Sequence, residues 1–167
     1  ITEMSAFPDG HFDLVVCNMA LMNVAHLDRA LAECGRVLRE SGRLLFSIPH
    51  PCYPRRGRSG GVFERDPEGE ERLEHYLVHN YQNEGEYPVS IPRGDGTSVP
   101  VPTFHRTLTT YVTSLLQTAF LIDGLLEPRP PDSPQARQEL GDGWWDATRR
   151  IPYYLVLSAR RRPRTTP

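Results

Sequence analysis

The sequence predicts an α/β fold built on a strand–helix–strand crossover, and three observations within residues 12–51 predict it. First, Leu14-Val15-Val16 and Leu44-Leu45-Phe46 are continuously apolar rather than alternating, which suits strands of a parallel sheet covered on both faces. Second, Leu27, Leu31, Cys34, Val37 and Leu38 recur at mostly three- or four-residue spacing between those runs, one face of a helix. Third, the helix has end signals: Asp28 to cap its start, and Gly42 past its end to take the left-handed conformation that closes a helix.

Composition bounds the rest. The chain has 167 residues, enough for a single domain with its own core. A formal net charge of −2 provides no field favouring nucleic acid or an anionic membrane, so neither is an expected partner. Cys17, Cys34 and Cys52 have no paired spacing, which fits a reducing compartment. No run approaches a membrane span and no signal-like segment opens the chain. The expected location is cytoplasmic.

In chain order, Pro8-Asp9-Gly10 is turn chemistry. Cys17-Asn18-Met19-Ala20 lies where the first strand ends, and ligands of open α/β sheets gather beyond the carboxyl ends of strands. Asn18 is therefore a candidate ligand contact; Met22 and Asn23 follow on the next turn, Asn23 facing a pocket and Met22 more at home in a core. Pro49-His50-Pro51-Cys52 follows the second strand. Histidine is the side chain that exchanges protons near neutral pH, so His50 is either a base or a ring bonded to a loop carbonyl. Residues 53–104 are rich in Gly, Pro and charge, with a basic cluster at Arg55-Arg56-Gly57-Arg58 and strand-prone surroundings for Tyr76, Val78, Tyr81 and Tyr87. Arg93-Gly94-Asp95-Gly96 reads as a hairpin turn. The segment is expected to be an inserted β-hairpin acting as a lid.

His105-Arg106-Thr107 then opens a helix with a threonine cap and an apolar face of Val112, Leu115, Leu116 and Ala119. Residues 120–127 form a strand, and Tyr153 to Ala159 form the last one. Trp144-Trp145 reads as packing that can border a pocket. Arg160 to Arg164 reads as a solvated tail.

Phe7-Pro8-Asp9-Gly10-His11-Phe12-Asp13-Leu14-Val15-Val16, then Arg36-Val37-Leu38 and a glycine-bearing turn into Leu44-Leu45-Phe46, resembles the fourth strand, following helix and fifth strand of class I S-adenosylmethionine-dependent methyltransferases of the small-molecule branch. The resemblance implies the C-terminal half of a Rossmann-like methyltransferase sheet, its last strand antiparallel, carrying the inserted hairpin. It implies S-adenosylmethionine as cofactor, with Ile1 and Thr2 near the adenine and Asn18, Met19 and Ala20 at the methionine end. Asn23, Tyr81 and Arg106 are expected to contact a small-molecule substrate. His105, which the family's His-Arg pair before a Thr/Ser-Tyr helix start resembles, is the first candidate base and His50 the second. No metal is expected. The implied activity is methyl transfer to an O, N or C atom; the alternative is a non-catalytic chain acting through a protein partner.

Three relatives in chemistry are excluded by residues. No prolines follow Asn18, as methylases of exocyclic base amines require; no Thr-Cys-Ser surrounds Cys52, as RNA cytosine-C5 methylases require; and a dinucleotide dehydrogenase would need phosphate-binding glycines. The family's G-x-G-x-G loop has no counterpart here. The chain is therefore expected to be a fragment or a truncated relative, completed by an N-terminal segment or by a homo-oligomer.

Overall fold

The computed structural model describes residues 1–54, 59–69, 71–118 and 120–163; the basic cluster at 55–58, Ala119 and Arg164 lie outside them. The expected crossover is present as β1 (Phe12–Asn18), α1 (Leu27–Val37) and β2 (Leu38–Pro49). β1 and β2 are parallel, with Val15 opposite Leu44 and Cys17 opposite Phe46. The helix ends differ from expectation. His26 precedes α1 without a side-chain cap, Asp28 lies inside the first turn, and Leu38 already belongs to the strand. Ser41, not Gly42, takes the left-handed conformation, at φ 62°. Gly42 has a different reason to be glycine: a Cβ there would stand 2.8 Å from the Arg39 carbonyl oxygen and 3.2 Å from that of Phe12, closer than the backbone allows.

Between β2 and α2 (Leu108–Gln117) the segment expected to carry one hairpin carries two. These are β3 (Gly60–Arg65) with β4 (Glu71–Leu77), and β5 (Gly85–Pro92) with β6 (Ser98–His105). The predicted turn closes the second: Arg93 N donates to Thr97 O at 2.7 Å, with Gly96 at φ 82°. The chain finishes with β7 (Phe120–Leu126), α3 (Pro134–Leu140), α4 (Asp142–Arg150) and β8 (Tyr154–Arg161). The first hairpin leans on α4, where the Arg150 guanidinium donates to Leu73 O and Trp144 packs on Phe63 at 5.5 Å and on Tyr153 at 5.6 Å.

The main sheet has the order β1-β2-β8-β7, and β8 is antiparallel to both neighbours. One face forms the core. Cys17, Leu44, Phe46, Ile48, Leu155 and Leu157 pack beneath Leu27, Leu31 and Cys34 of α1 and Tyr111 and Leu115 of α2. Each fully buried large side chain there contributes about 1.5–3 kcal/mol.

The opposite face corrects the expectation of strands covered on both sides. Leu14 is 50% and Val16 60% exposed, and the register continues that face through Leu45 to Ser158. The apolar side of α2 is also rotated from expectation: Leu115 is buried with Tyr111, whereas Leu116 is exposed. Nor is the arginine run a loose tail. Arg160 and Arg161 belong to β8, the buried Arg161 guanidinium donates to Leu38 O, and Arg162 Nε donates to Phe120 O at 3.2 Å.

Candidate active site

A cavity of about 400 Å³ opens where β2, β5, β6 and α2 converge. Short elements deliver its polar groups. Residues Leu21–Asn23 form a 3-10 turn after β1 that brings Asn23 to the wall. The stretch after β2 brings His50 and Tyr53, and β6 runs directly into α2 through His105, Arg106 and Thr107. Thr107 performs the predicted cap, accepting from Thr110 N at 3.2 Å.

His105 is 6% exposed, and its Nε2 lies 2.8 Å from the Tyr81 carbonyl oxygen. A carbonyl only accepts, so Nε2 carries the hydrogen and Nδ1 holds the lone pair. The surrounding segment fixes this arrangement. The Tyr81 hydroxyl accepts from Leu108 N at 3.0 Å. One oxygen of Glu84 accepts from Thr107 N at 2.6 Å, Thr107 Oγ1 at 2.7 Å and Thr110 Oγ1 at 2.6 Å. Burial opposes the charge on Glu84, but the bonds from Thr110 and Thr107, with His105 nearby, outweigh it and hold the carboxyl below its usual range. A carboxylate at a helix N-terminus is favoured in the same sense by the unpaired amides there. Burial pushes the Tyr81 phenol up.

His50 is also buried, but both of its ring nitrogens are engaged. Nε2 donates to Glu127 Oε1 at 2.8 Å, and Nδ1 accepts from Cys52 N at 3.2 Å. Arg106 donates to the carbonyls of Val24 at 2.5 Å and Ala25 at 3.0 Å, reaches that of Leu21 at 3.4 Å, and lies over the Phe104 ring. Asn23 Nδ2 donates to Pro102 O at 2.8 Å and Thr103 Oγ1 at 3.1 Å, tying the turn to β6.

The other predicted contacts sit apart. His50, His105, Asn23 and Arg106 line the cavity; Tyr81, Ile1, Thr2, Asn18, Met19 and Ala20 do not. At the carboxyl end of β1, Met19 has φ 48° and donates its N–H to Ser47 O at 3.0 Å, while Ser47 Oγ donates to Asn18 Oδ1. Asn18 and Ala20 are exposed, as are Ile1 and Thr2. The opening segment is pinned just beyond them. Met4 N donates to Glu33 Oε2 at 2.8 Å and Arg36 donates to Met4 O at 2.9 Å. The bonds from Arg36 and Met4 bring the Glu33 carboxyl down to about 2.

Glu84, Glu127 and Ser47 were not legible as site residues. Glu84 and Glu127 meet partners 23 and 77 positions away in sequence, so no local pattern marks them. The signal available for Ser47 was its place in a strand end two residues before Pro49.

Comparison with known proteins agrees with this architecture. Residues 1–46 match a family model described as a methyltransferase domain. A solved S-adenosylmethionine-dependent methyltransferase of Mesorhizobium loti superposes with a TM-score of 0.68 at 28% identity, covering 93% of this chain and 64% of that one. A solved protein of Listeria monocytogenes, described as a methyltransferase of the same dependence, gives 0.69 at 26%, covering 97% and 66%. An uncharacterized protein of Haemophilus influenzae is 26% identical over 148 residues, 85% of this chain and 53% of its own. The ubiquinone/menaquinone biosynthesis C-methyltransferase UbiE of Paraburkholderia phymatum is 51% identical over 43 residues, 26% of this chain and 18% of its own. The chain thus spans about half the length of the Haemophilus relative. Sheet order, family match and neighbours all support a class I S-adenosylmethionine-dependent methyltransferase fold. S-adenosylmethionine is the cofactor those neighbours indicate.

Proposed function

We propose that this chain forms the acceptor-binding side of a methyltransferase that moves a methyl group from S-adenosylmethionine to an O, N or C atom of a small molecule, with His105 as the base. The observation that carries the reading is the buried His105 ring, whose Nε2 is held by Tyr81 O while Nδ1 has no hydrogen-bond partner among the described residues, inside a cavity at the carboxyl end of β2.

The residues present fit one wall of a cofactor site. Exposed Asn18 and Ala20, beside the positive-φ Met19, stand at the strand end. Ile1 and Thr2 would take the adenine side. When bound, S-adenosylmethionine supplies an electrophilic methyl on a sulfonium. His105 Nδ1 receives the acceptor's proton as the acceptor atom becomes the nucleophile. The cavity walls orient the acceptor and exclude water, and the two hairpins act as the lid. Arg106 and Asn23 bind the 3-10 turn to β6, so their part is to hold the cavity's shape; Tyr81 orients His105. His50, with both nitrogens engaged, is the lesser candidate for proton transfer. The test is formation of S-adenosylhomocysteine from S-adenosylmethionine across a panel of hydroxyl and amine acceptors. Turnover that depends on His105 supports the reading, and turnover indifferent to His105 overturns its central residue.

The exposed Leu14 and Val16 favour a second element of the reading. We infer that this face is covered in the working protein, by a further copy or by a segment outside these residues, and that the same cover completes the cofactor site. Residues 1–167 alone should then bind S-adenosylmethionine weakly. Micromolar affinity in calorimetry would contradict that division of the site.

A further inference from the structure

We propose that the acceptor is an uncharged aromatic molecule of one or two rings that presents a hydroxyl to His105; this rests on His105 being the base proposed above. Three observations carry it. The walls are flat and mostly apolar: Tyr53, Tyr87, Phe104, Tyr111 and Tyr153 contribute rings from five different segments of the chain. Such rings favour another ring over a flexible chain, through edge and offset contacts. The volume, about 400 Å³, is near the small end for ligand cavities.

Charge is the second observation. Among the described lining residues Arg106 is the sole permanently charged side chain, and its terminal nitrogens already face the carbonyls of Leu21, Val24 and Ala25. The nearby carboxylate of Glu84 is turned to the start of α2, and that of Glu127 to His50. A charged substituent entering this cavity would lose its water and find no directed counter-charge among the described residues.

The third observation is the polarity of His105, the base proposed above. Tyr81 O fixes the hydrogen of His105 on Nε2, so Nδ1 can only accept. The matching substituent is a donor, and a hydroxyl on a ring is acidic enough to be deprotonated there by an imidazole. An ether or a carboxylate at that position offers no hydrogen.

The probe is 2-naphthol, titrated calorimetrically into the protein near pH 7.5 without S-adenosylmethionine, beside 2-methoxynaphthalene, 2-naphthoate and 2-decalol. The absence of cofactor separates this result from any failure of methyl transfer. Expected is saturable binding of 2-naphthol, about tenfold tighter than the methoxy compound because a buried acceptor is otherwise left unpaired. Expected also is an advantage of about a hundredfold over the carboxylate, from its unpaired burial, and of about fivefold over the saturated ring system. In His105→Gln the preference over the methoxy compound should shrink, while affinity for the methoxy compound itself stays within about twofold, since that ligand makes no bond to the imidazole. Binding of 2-naphthoate as tight as 2-naphthol, equal binding of 2-naphthol and its methyl ether by the unaltered protein, or no saturable 2-naphthol binding would each overturn the inference. The ligand comparison stands even where the variant fails to fold.

Discussion

The His105 cavity and the Asn18 strand end lie on one sheet but are built by opposite means. Around His105, two segments close on one another: Tyr81 and Glu84 bond to His105, Thr107 and Leu108 in a single hydrogen-bonded frame. Around Asn18 the frame is a single residue, Ser47, holding both Asn18 and Met19 across adjacent strands, and Asn18 and Ala20 are exposed. The sheet repeats the contrast, one face packed under α1 and α2 and the other showing Leu14 and Val16. The chain thus carries one finished site and one half-built wall. That difference supports the proposal that the acceptor binds at the first and the cofactor at the second.

The largest effect expected from breaking the contrast is on the packed face. Phe46→Ala should cost about 3–5 kcal/mol in urea unfolding, because the ring is buried between sheet and helices. Val16→Thr on the open face should stay within about 0.5 kcal/mol, and Val16→Lys should raise the monomer fraction in sedimentation. Equal losses at Phe46 and Val16 would mean that both faces are covered already.

Thiol labelling sharpens the same division. Burial pushes the Cys34 thiol up to about 12 and raises that of Cys17, whereas Cys52 is partly exposed beside Tyr81. A disulfide reagent at pH 8 should modify Cys52 at least about a hundredfold faster than the two core thiols. Mass spectrometry of the labelled peptides checks this, and rapid labelling of Cys34 would show that α1 opens readily.

A smaller effect belongs to Glu84. Its carboxyl is depressed on folding, so its contribution is complete above the ordinary glutamate range and is lost as pH falls through the depressed value. Subtracting the melting temperatures of Glu84→Gln from those of the unaltered protein between pH 3 and 7 should give a gap that closes on acidification. Thr107→Ala, which removes the cap, should cost about 1 kcal/mol. A gap that widens in acid would contradict the assignment of Glu84 as a charged cap.

Much of this frame could be read from residues alone, and the failures have physical causes. Continuous apolar runs and one helical stripe located β1, α1 and β2, and proline, aspartate and glycine chemistry located the β5–β6 turn. The same apolar runs misjudged the open face, because Leu14 and Val16 are apolar whether the layer that covers them lies in the chain or elsewhere. Ser41 and Gly42 exchanged roles because small neighbours compete for one turn, and close approach to the Arg39 and Phe12 carbonyl oxygens decided it. His105, Arg106 and Asn23 were legible as candidates from motif and position. Their different hydrogen-bond partners were not, since these are carbonyls of Leu21, Val24, Tyr81 and Pro102 that no local spacing brings to mind.

The division between the two regions is tested most directly by one paired measurement on His105→Ala in the active protein: the single-turnover methylation rate beside the calorimetric affinity for S-adenosylmethionine. General-base catalysis typically contributes about a hundred- to ten-thousand-fold. The rate should therefore fall at least about tenfold while cofactor affinity stays nearly unchanged, because the proposed cofactor contacts Asn18 and Ala20 lie outside the cavity. An undiminished rate, or an equal loss of cofactor binding, would contradict the account.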